Sequence, residues 1–131
     1  MKVLEDNDSL LFWEEDHIIC YMYKKPVLDL DMAKLAVETR LRVTNEAPCL
    51  LVTDLRHIKN TTKEARAYYI SNNPKDLVKA VALITPSIVS TIIANFFINF
   101  NSPKIPIKMF THMDKAIEWL KGLHLEGFEN K

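Results

Sequence analysis

Apolar and polar positions follow two different periods along this chain. Ser9-Leu-Leu-Phe-Trp13 and Ile18-Ile-Cys-Tyr-Met-Tyr23 are short runs rich in β-formers, separated by the polar stretch Glu14-Glu-Asp-His17. That spacing predicts two strands in an antiparallel hairpin, ended by Lys24-Lys25-Pro26. The period then changes. Leu30, Ala33, Val37 and Leu41 recur at helical spacing. They predict a helix capped by Asp29 or Asp31 and running to about Thr44. Arg40 and Arg42 fall near its C-terminus, where cations complement the helix dipole. Cys49 to Thr53 is a continuous apolar run, as a central strand covered on both faces requires.

Thr61-x-x-Glu64 has the form of a capping box, so a helix should open there, pass through Tyr69 and stop near Asn72-Asn73-Pro74. Ala80 to Ile84 is a second buried strand. Pro86-Ser87 starts a helix reaching about Phe100, and Asn101 to Pro106 is a turn-rich loop. Ile107 to Phe110 is the last strand. Thr111-x-x-Asp114 resembles a second capping box, and Gly122 suits the C′ position of a final helix. The order β-β-α-β-α-β-α-β-α implies right-handed crossovers and a mixed, mostly parallel sheet of about five strands with helices packed on it. A single α/β domain over 1–131 is expected, with its core at about 9–123 and a charged tail at 124–131.

Composition narrows the function classes. The chain has 131 residues, 48% of them apolar, enough for one well-buried core. Seventeen basic residues balance seventeen acidic ones, and no Lys/Arg cluster exceeds two. A concentrated basic face of the kind that binds nucleic acid is therefore not expected. Cys20 and Cys49 lie inside strand-like runs and read as small buried hydrophobes in a reducing cytoplasm. The N-terminal residues hold no apolar signal core, and the longest near-apolar run, Ile88 to Phe100, is too short and too polar to span a bilayer. His17, His57, His112 and His124 have no partners at metal-ligand spacing, so no metal is expected. No Walker A loop or GxGxxG is present, and no cofactor is expected.

The chemistry concentrates between residues 49 and 69. An apolar run ends in Asp54, a polar loop holding Arg56, His57 and Lys59 follows, and a helix opens at Thr61-Thr62 with Lys63, Glu64 and Arg66 behind. In open α/β sheets, ligands and partners bind beyond the carboxyl ends of the strands. Thr61 and Thr62 are either helix caps or phosphoacceptors, since a phosphate is favoured at a helix N-terminus and Lys59, Lys63 and Arg66 could pair with it. Asp54 either accepts loop N–H bonds or shapes the loop for a modifying enzyme. Asp54 and His57 could form a hydrolytic pair, but the loop has no glycine elbow, and no catalytic site is expected. Arg66, Tyr68 and Tyr69 are either a solvated arginine with half-buried tyrosines, or an anion contact bordering the same surface.

The element order, with Asp54-Leu55 ending the third strand and a helix just beyond, resembles the STAS/SpoIIAA-like superfamily, whose members include anti-sigma-factor antagonists and STAS/SEC14-like relatives. The resemblance covers about Ser9 to Leu123. The family's switch loop reads Asp-Leu, several residues, then Asp-Ser-Ser-Gly; here Asn60-Thr61-Thr62-Lys63 stands in that place. The segments Asp54 to Lys59, Thr62 to Arg66, Pro103 to Thr111 and Ala116 to Leu120 are similar to an uncharacterised bacterial subgroup of small single-domain members. The resemblance implies a non-enzymatic regulatory module. It would dock an unknown protein partner through Asp54, Arg56, His57, Lys59, Lys63 and Arg66, switched by phosphate on Thr61 or Thr62.

A second reading comes from the segment Ser87 to Phe100. Ile88, Ile92 and Phe96 form one stripe, and Val89, Ile93, Phe97 and Phe100 another. Together they exceed the roughly 100° apolar stripe of a surface helix. Burial within the domain or in a homodimer accounts for this, and so does a pocket for an apolar or lipid-like ligand.

Overall fold

The computed structural model describes residues 1–72, 77–86 and 105–125. The β-forming runs become β1 (Lys2–Asp6), β2 (Leu10–Glu15) and β3 (Ile18–Tyr23), paired antiparallel. A two-residue strand β4 (Val27–Leu28) leads into α1 (Leu30–Val43). Then come β5 (Cys49–Asp54), β6 (Asn60–Thr61), α2 (Lys63–Asn72), β7 (Val78–Ile84), β8 (Ile107–Phe110) and α3 (Met113–Leu125).

Six strands form one sheet in the order β1-β2-β3-β5-β7-β8. The pairs β3/β5, β5/β7 and β7/β8 are parallel, as crossover connections through helices demand. The mixed, mostly parallel sheet is therefore present, with six strands where about five were expected. The addition is β1, whose Lys-Val-Leu-Glu-Asp holds too few apolar residues to signal a strand. Its order comes from pairing with β2. The charges of Lys2, Glu5 and Asp6 and a bulge between Val3 and Glu5 discourage this edge from pairing with another chain, although Val3 is exposed on it.

Alternation along the strands sorts the core into two layers. Phe12, Ile19, Tyr21, Leu51, Val81 and Leu83 face α1 and α2. Trp13, Cys20, Leu50, Val52, Ala82 and Ile84 face α3, which contributes Ala116, Ile117 and Leu120. Phe12 stacks on Tyr21 with ring centroids 4.6 Å apart, and the Tyr21 and Tyr23 hydroxyls share a buried hydrogen bond of 3.3 Å. Cys20 and Cys49 are both buried and neither forms a disulfide. Burial, with smaller contributions from Glu15 and Asp16, pushes the Cys20 thiol up to about 12, so it stays protonated and unreactive at neutral pH.

Three local expectations shift. The hydroxyl that caps α2 belongs to Thr62, whose Oγ1 accepts the Ala65 N–H at 3.1 Å, because Thr61 is committed to β6 opposite Leu28. No reciprocal box with Glu64 forms, since the residue three beyond Thr62 is Ala65. The α3 frame moves in the same way: the Ala116 N–H donates to the His112 carbonyl, so His112, not Thr111, flanks the helix. Helix α3 also runs through Gly122 to Leu125 instead of ending there, because Leu120 and Leu123 continue the stripe against the sheet. Asp29 does cap α1, accepting the Met32 N–H at 2.9 Å.

A Cβ on Gly122 would meet nothing within 4 Å. Gly122→Ala should therefore raise the unfolding free energy by about 0.5–1 kcal/mol, through reduced chain entropy in the unfolded state. Urea titration checks this, and a loss of stability would show that the site is not an ordinary helical position.

The apolar stripes at Ile88, Ile92 and Phe96 and at Val89, Ile93, Phe97 and Phe100 lie outside the described residues, as do the stop at Asn73-Pro74 and the tail beyond Leu125. Among the described residues, no helix is long and apolar enough to cross a membrane.

Candidate functional site at the carboxyl edge of the sheet

Asp54 closes β5 on the face that carries Val52, and it is only 2% exposed. A carboxylate so placed needs donors. Arg56 supplies three: its backbone N–H reaches Oδ1 at 3.0 Å, Nε reaches Oδ1 at 2.9 Å, and Nη2 reaches Oδ2 at 2.7 Å. This fork-to-carboxylate geometry is the strongest pairing available to the two groups. Asp54 in return holds the Arg56 guanidinium charged, raising its pKa against the opposing effect of burial. Asp54 was expected among the contact residues of this edge. It lies instead beneath the surface as the strut that fixes Arg56. His57 is exposed, and among the described residues no hydrogen bond joins it to Asp54, so a hydrolytic Asp54–His57 pair is not assembled.

Two buried apolar side chains hold the loop down. Leu55 is fully buried and Ile58 is 3% exposed. The Leu55 N–H donates to the Ile84 carbonyl at 2.8 Å, and the Ile58 N–H donates back to Leu55 at 3.1 Å. Beyond them, β6 pairs in parallel with β4, placing Val27 opposite Asn60 and Leu28 opposite Thr61. The Pro26 carbonyl accepts from both Lys59 and Asn60, and the Thr62 N–H donates to the Leu28 carbonyl at 3.0 Å. This ribbon has no sequence signal. It exists because Leu28 is buried in the α1/α2 layer and brings its neighbouring backbone within reach of the loop.

The two threonines have different settings. The Thr62 side chain caps α2. The Thr61 hydroxyl accepts from Arg66 Nη1 at 3.2 Å, and the same nitrogen reaches the Thr61 carbonyl at 3.3 Å. Both threonines and Arg66 are half-buried, whereas Arg56, His57, Lys59, Lys63 and Glu64 are exposed. The edge therefore presents more cations than anions, although the whole chain is neutral. Tyr68, one turn beyond, is half-buried. Its phenol pKa is raised chiefly by desolvation, then by Glu38, with Arg40 opposing. The Tyr69 side chain lies outside the described part.

Two clefts open at this end of the sheet. One, of about 330 Å³, lies beside the ribbon and is lined by Ser9, Lys25, Pro26, Val27 and Met32 among others. The other, of about 250 Å³, sits at the carboxyl ends of β7 and β8, where the Thr85 N–H donates to the Phe110 carbonyl; His112 and Lys115 line it. Among the described residues, no group of three or more His, Cys, Asp or Glu side chains could hold a metal ion.

Arg40 is the residue that a reading of the pattern misplaces. As a cation in the last turn of a helix it reads only as a dipole partner. It is 4% exposed, while Arg42 alone points outward to Glu5 at 3.1 Å. The available signal was spacing, since Arg40 follows Ala33 by seven and Val37 by three and so lies on their buried face.

The fold resembles that of an uncharacterized protein from the DUF3478 family, with a SpoIIAA-like fold, from Shewanella loihica PV-4. The two superpose with a TM-score of 0.63 at 16% identity, covering 88% of this chain and 97% of that one. The STAS/SpoIIAA-like resemblance thus holds at the level of the fold. No curated protein matches the chain. A family model, described as Domain of unknown function (DUF7793), matches residues 12–124, and the chain belongs to that family.

Proposed function

We propose that this protein is a non-enzymatic regulatory module that docks a protein partner at the carboxyl edge of its sheet and is switched by phosphorylation of Thr61 or Thr62. The observation that carries the reading is the Arg66 guanidinium set 3.2 Å from the Thr61 hydroxyl at the opening of α2. A phosphate on Thr61 would meet Arg66 at once, with exposed Lys59 and Lys63 on either side. A phosphate on Thr62 would sit at the helix N-terminus, where backbone N–H groups and the dipole favour negative charge. Either would place about two negative charges on a surface otherwise set to receive an acidic partner. The SpoIIAA-like fold supports the reading by analogy alone.

The test is a mass spectrum of the protein isolated from its own organism, under native and then denaturing conditions. A covalent phosphate on Thr61 or Thr62 is expected. An unmodified chain under every growth condition tried would sink the switch. A non-covalent lipid-sized mass would favour the apolar-ligand reading of segment 87–100, and a doubled native mass would show a homodimer without placing its interface. With a partner in hand, Thr62→Glu should weaken its binding while Thr62→Ala does not. Thr62→Ala removes the cap and costs about 1 kcal/mol, so circular dichroism must accompany the comparison.

A further inference from the structure

Among the described residues, two charged side chains are almost fully buried: Asp54 and Arg40. Asp54 has Arg56. Arg40 forms no ion pair with any described residue, and its Nη1 has no hydrogen-bond partner among them. A lysine so placed could shed its proton, but a guanidinium keeps its charge at any pH a protein meets. Buried charges are normally paired, and an orphaned polar atom in a well-formed core needs an explanation.

Position supplies one. Helix α1 starts beside the carboxyl-edge ribbon and ends just before β5 begins, so Arg40, near its last turn, lies toward the amino ends of the parallel strands. Helices α1 and α2 pack against each other on this face of the sheet. Tyr68 of α2 packs against the same buried layer, and the charge of Arg40 opposes the rise in its phenol pKa. A guanidinium and a phenol, one from each helix, thus border the same seam. Glu38, which also acts on Tyr68, is exposed and outside ion-pair reach of Arg40.

We propose that Arg40 anchors an oxyanion site in the seam between α1 and α2, which takes the carboxylate or phosphate group of a small-molecule ligand, with Tyr68 bordering it. Nη1, with two N–H groups, would donate to the incoming oxygen of a carboxylate or a phosphate. The site lies at the opposite end of the sheet from Thr61, Thr62 and Arg66. It neither needs the docking edge nor fails with it.

Thermal unfolding tests the site, with sodium chloride replaced at constant ionic strength by sodium phosphate in one series and sodium acetate in another. A bound anion raises Tm by mass action, by roughly 5 °C at ten times its Kd for a chain of this size. Phosphate also raises Tm without binding, by exclusion from the surface, so the readout is the difference between wild type and Arg40→Met. The expected result is an excess rise in wild type that Arg40→Met abolishes and Arg40→Lys reduces. A response to phosphate only, or to acetate only, identifies the group recognised. Equal rises in wild type and Arg40→Met, or none in either, would overturn the site. If Arg40→Met fails to fold, nitrogen-detected NMR of the wild-type arginine side chains replaces it. The Arg40 guanidinium signal should move with phosphate or acetate more than those of Arg42 and Arg56, and a stationary Arg40 signal would overturn the site equally.

Discussion

Leu55→Ala is expected to lower the unfolding free energy by about 3–4 kcal/mol, near the middle of the range for leucine truncations in cores. Leu55 is fully exposed to the core and not at all to solvent, among side chains of the α1/α2 layer. Its surroundings have little freedom to collapse. The backbone on one side is fixed to Ile84 by a 2.8 Å hydrogen bond, and on the other Ile58 is tied back to the Leu55 carbonyl. The void would therefore persist, and its cost adds to the lost transfer energy. Urea titration measures the total. Hydrogen exchange supplies a second readout, because Leu55 and Ile58 are what pin the loop. Amides from Arg56 to Thr62 should exchange faster than the global loss of stability requires. A cost below about 1 kcal/mol would mean that the loop can close over the gap, and that Leu55 does not hold it.

Arg56→Ala is the second large effect. It leaves the Asp54 carboxylate buried with one backbone N–H in place of three donors. Breaking a fully buried pair from one side costs about 3–5 kcal/mol. The Arg56 side chain is 44% exposed, so part of the pair's attraction is screened, and about 2–3 kcal/mol is the expected loss. The double variant Asp54→Asn/Arg56→Ala discriminates the cause. Asparagine can still accept the backbone N–H but carries no charge, so the double variant should be more stable than Arg56→Ala alone. If instead the two losses add, the arginine acts by packing over the loop and not by neutralising Asp54.

The sheet was legible where one physical rule dominates. Cys49 to Val52 had to be central because all four residues are apolar, and α1 declared itself by Ala33 and Val37 and by an acidic cap at Asp29 or Asp31. Strand β1 was hidden because an edge strand needs only hydrogen bonds, and Lys2, Glu5 and Asp6 suit its exposure. The β4/β6 ribbon was hidden for a related reason: two residues carry no period, and the pairing depends on where Leu28 is buried. At the site, the helix opening after Asp54 was visible, but the capping frame slipped by one because Thr61 and Thr62 are chemically equivalent until β6 claims the first. Of the two readings of Asp54, acceptance of a loop N–H is the one the structure shows, from Arg56, and its burial keeps it out of the exposed contact set. That its partner stood two residues away in Arg56 could be read only from the turn that folds the side chain back.

The two-layer core also divides the molecule's chromophores. Both tryptophans belong to the α3 side: Trp13 is buried in that layer, and Trp119 packs against it with its ring 5.8 Å from Phe110. Tyr21, Tyr23 and Tyr68, the tyrosines whose side chains the structure describes, all belong to the α1/α2 side. Indole fluorescence therefore watches one layer, and near-ultraviolet tyrosine dichroism watches mainly the other, without any label being introduced. Overlaid melting curves from the two signals would establish that both halves of the core come apart together. A lag between them would identify which side of the sheet yields first.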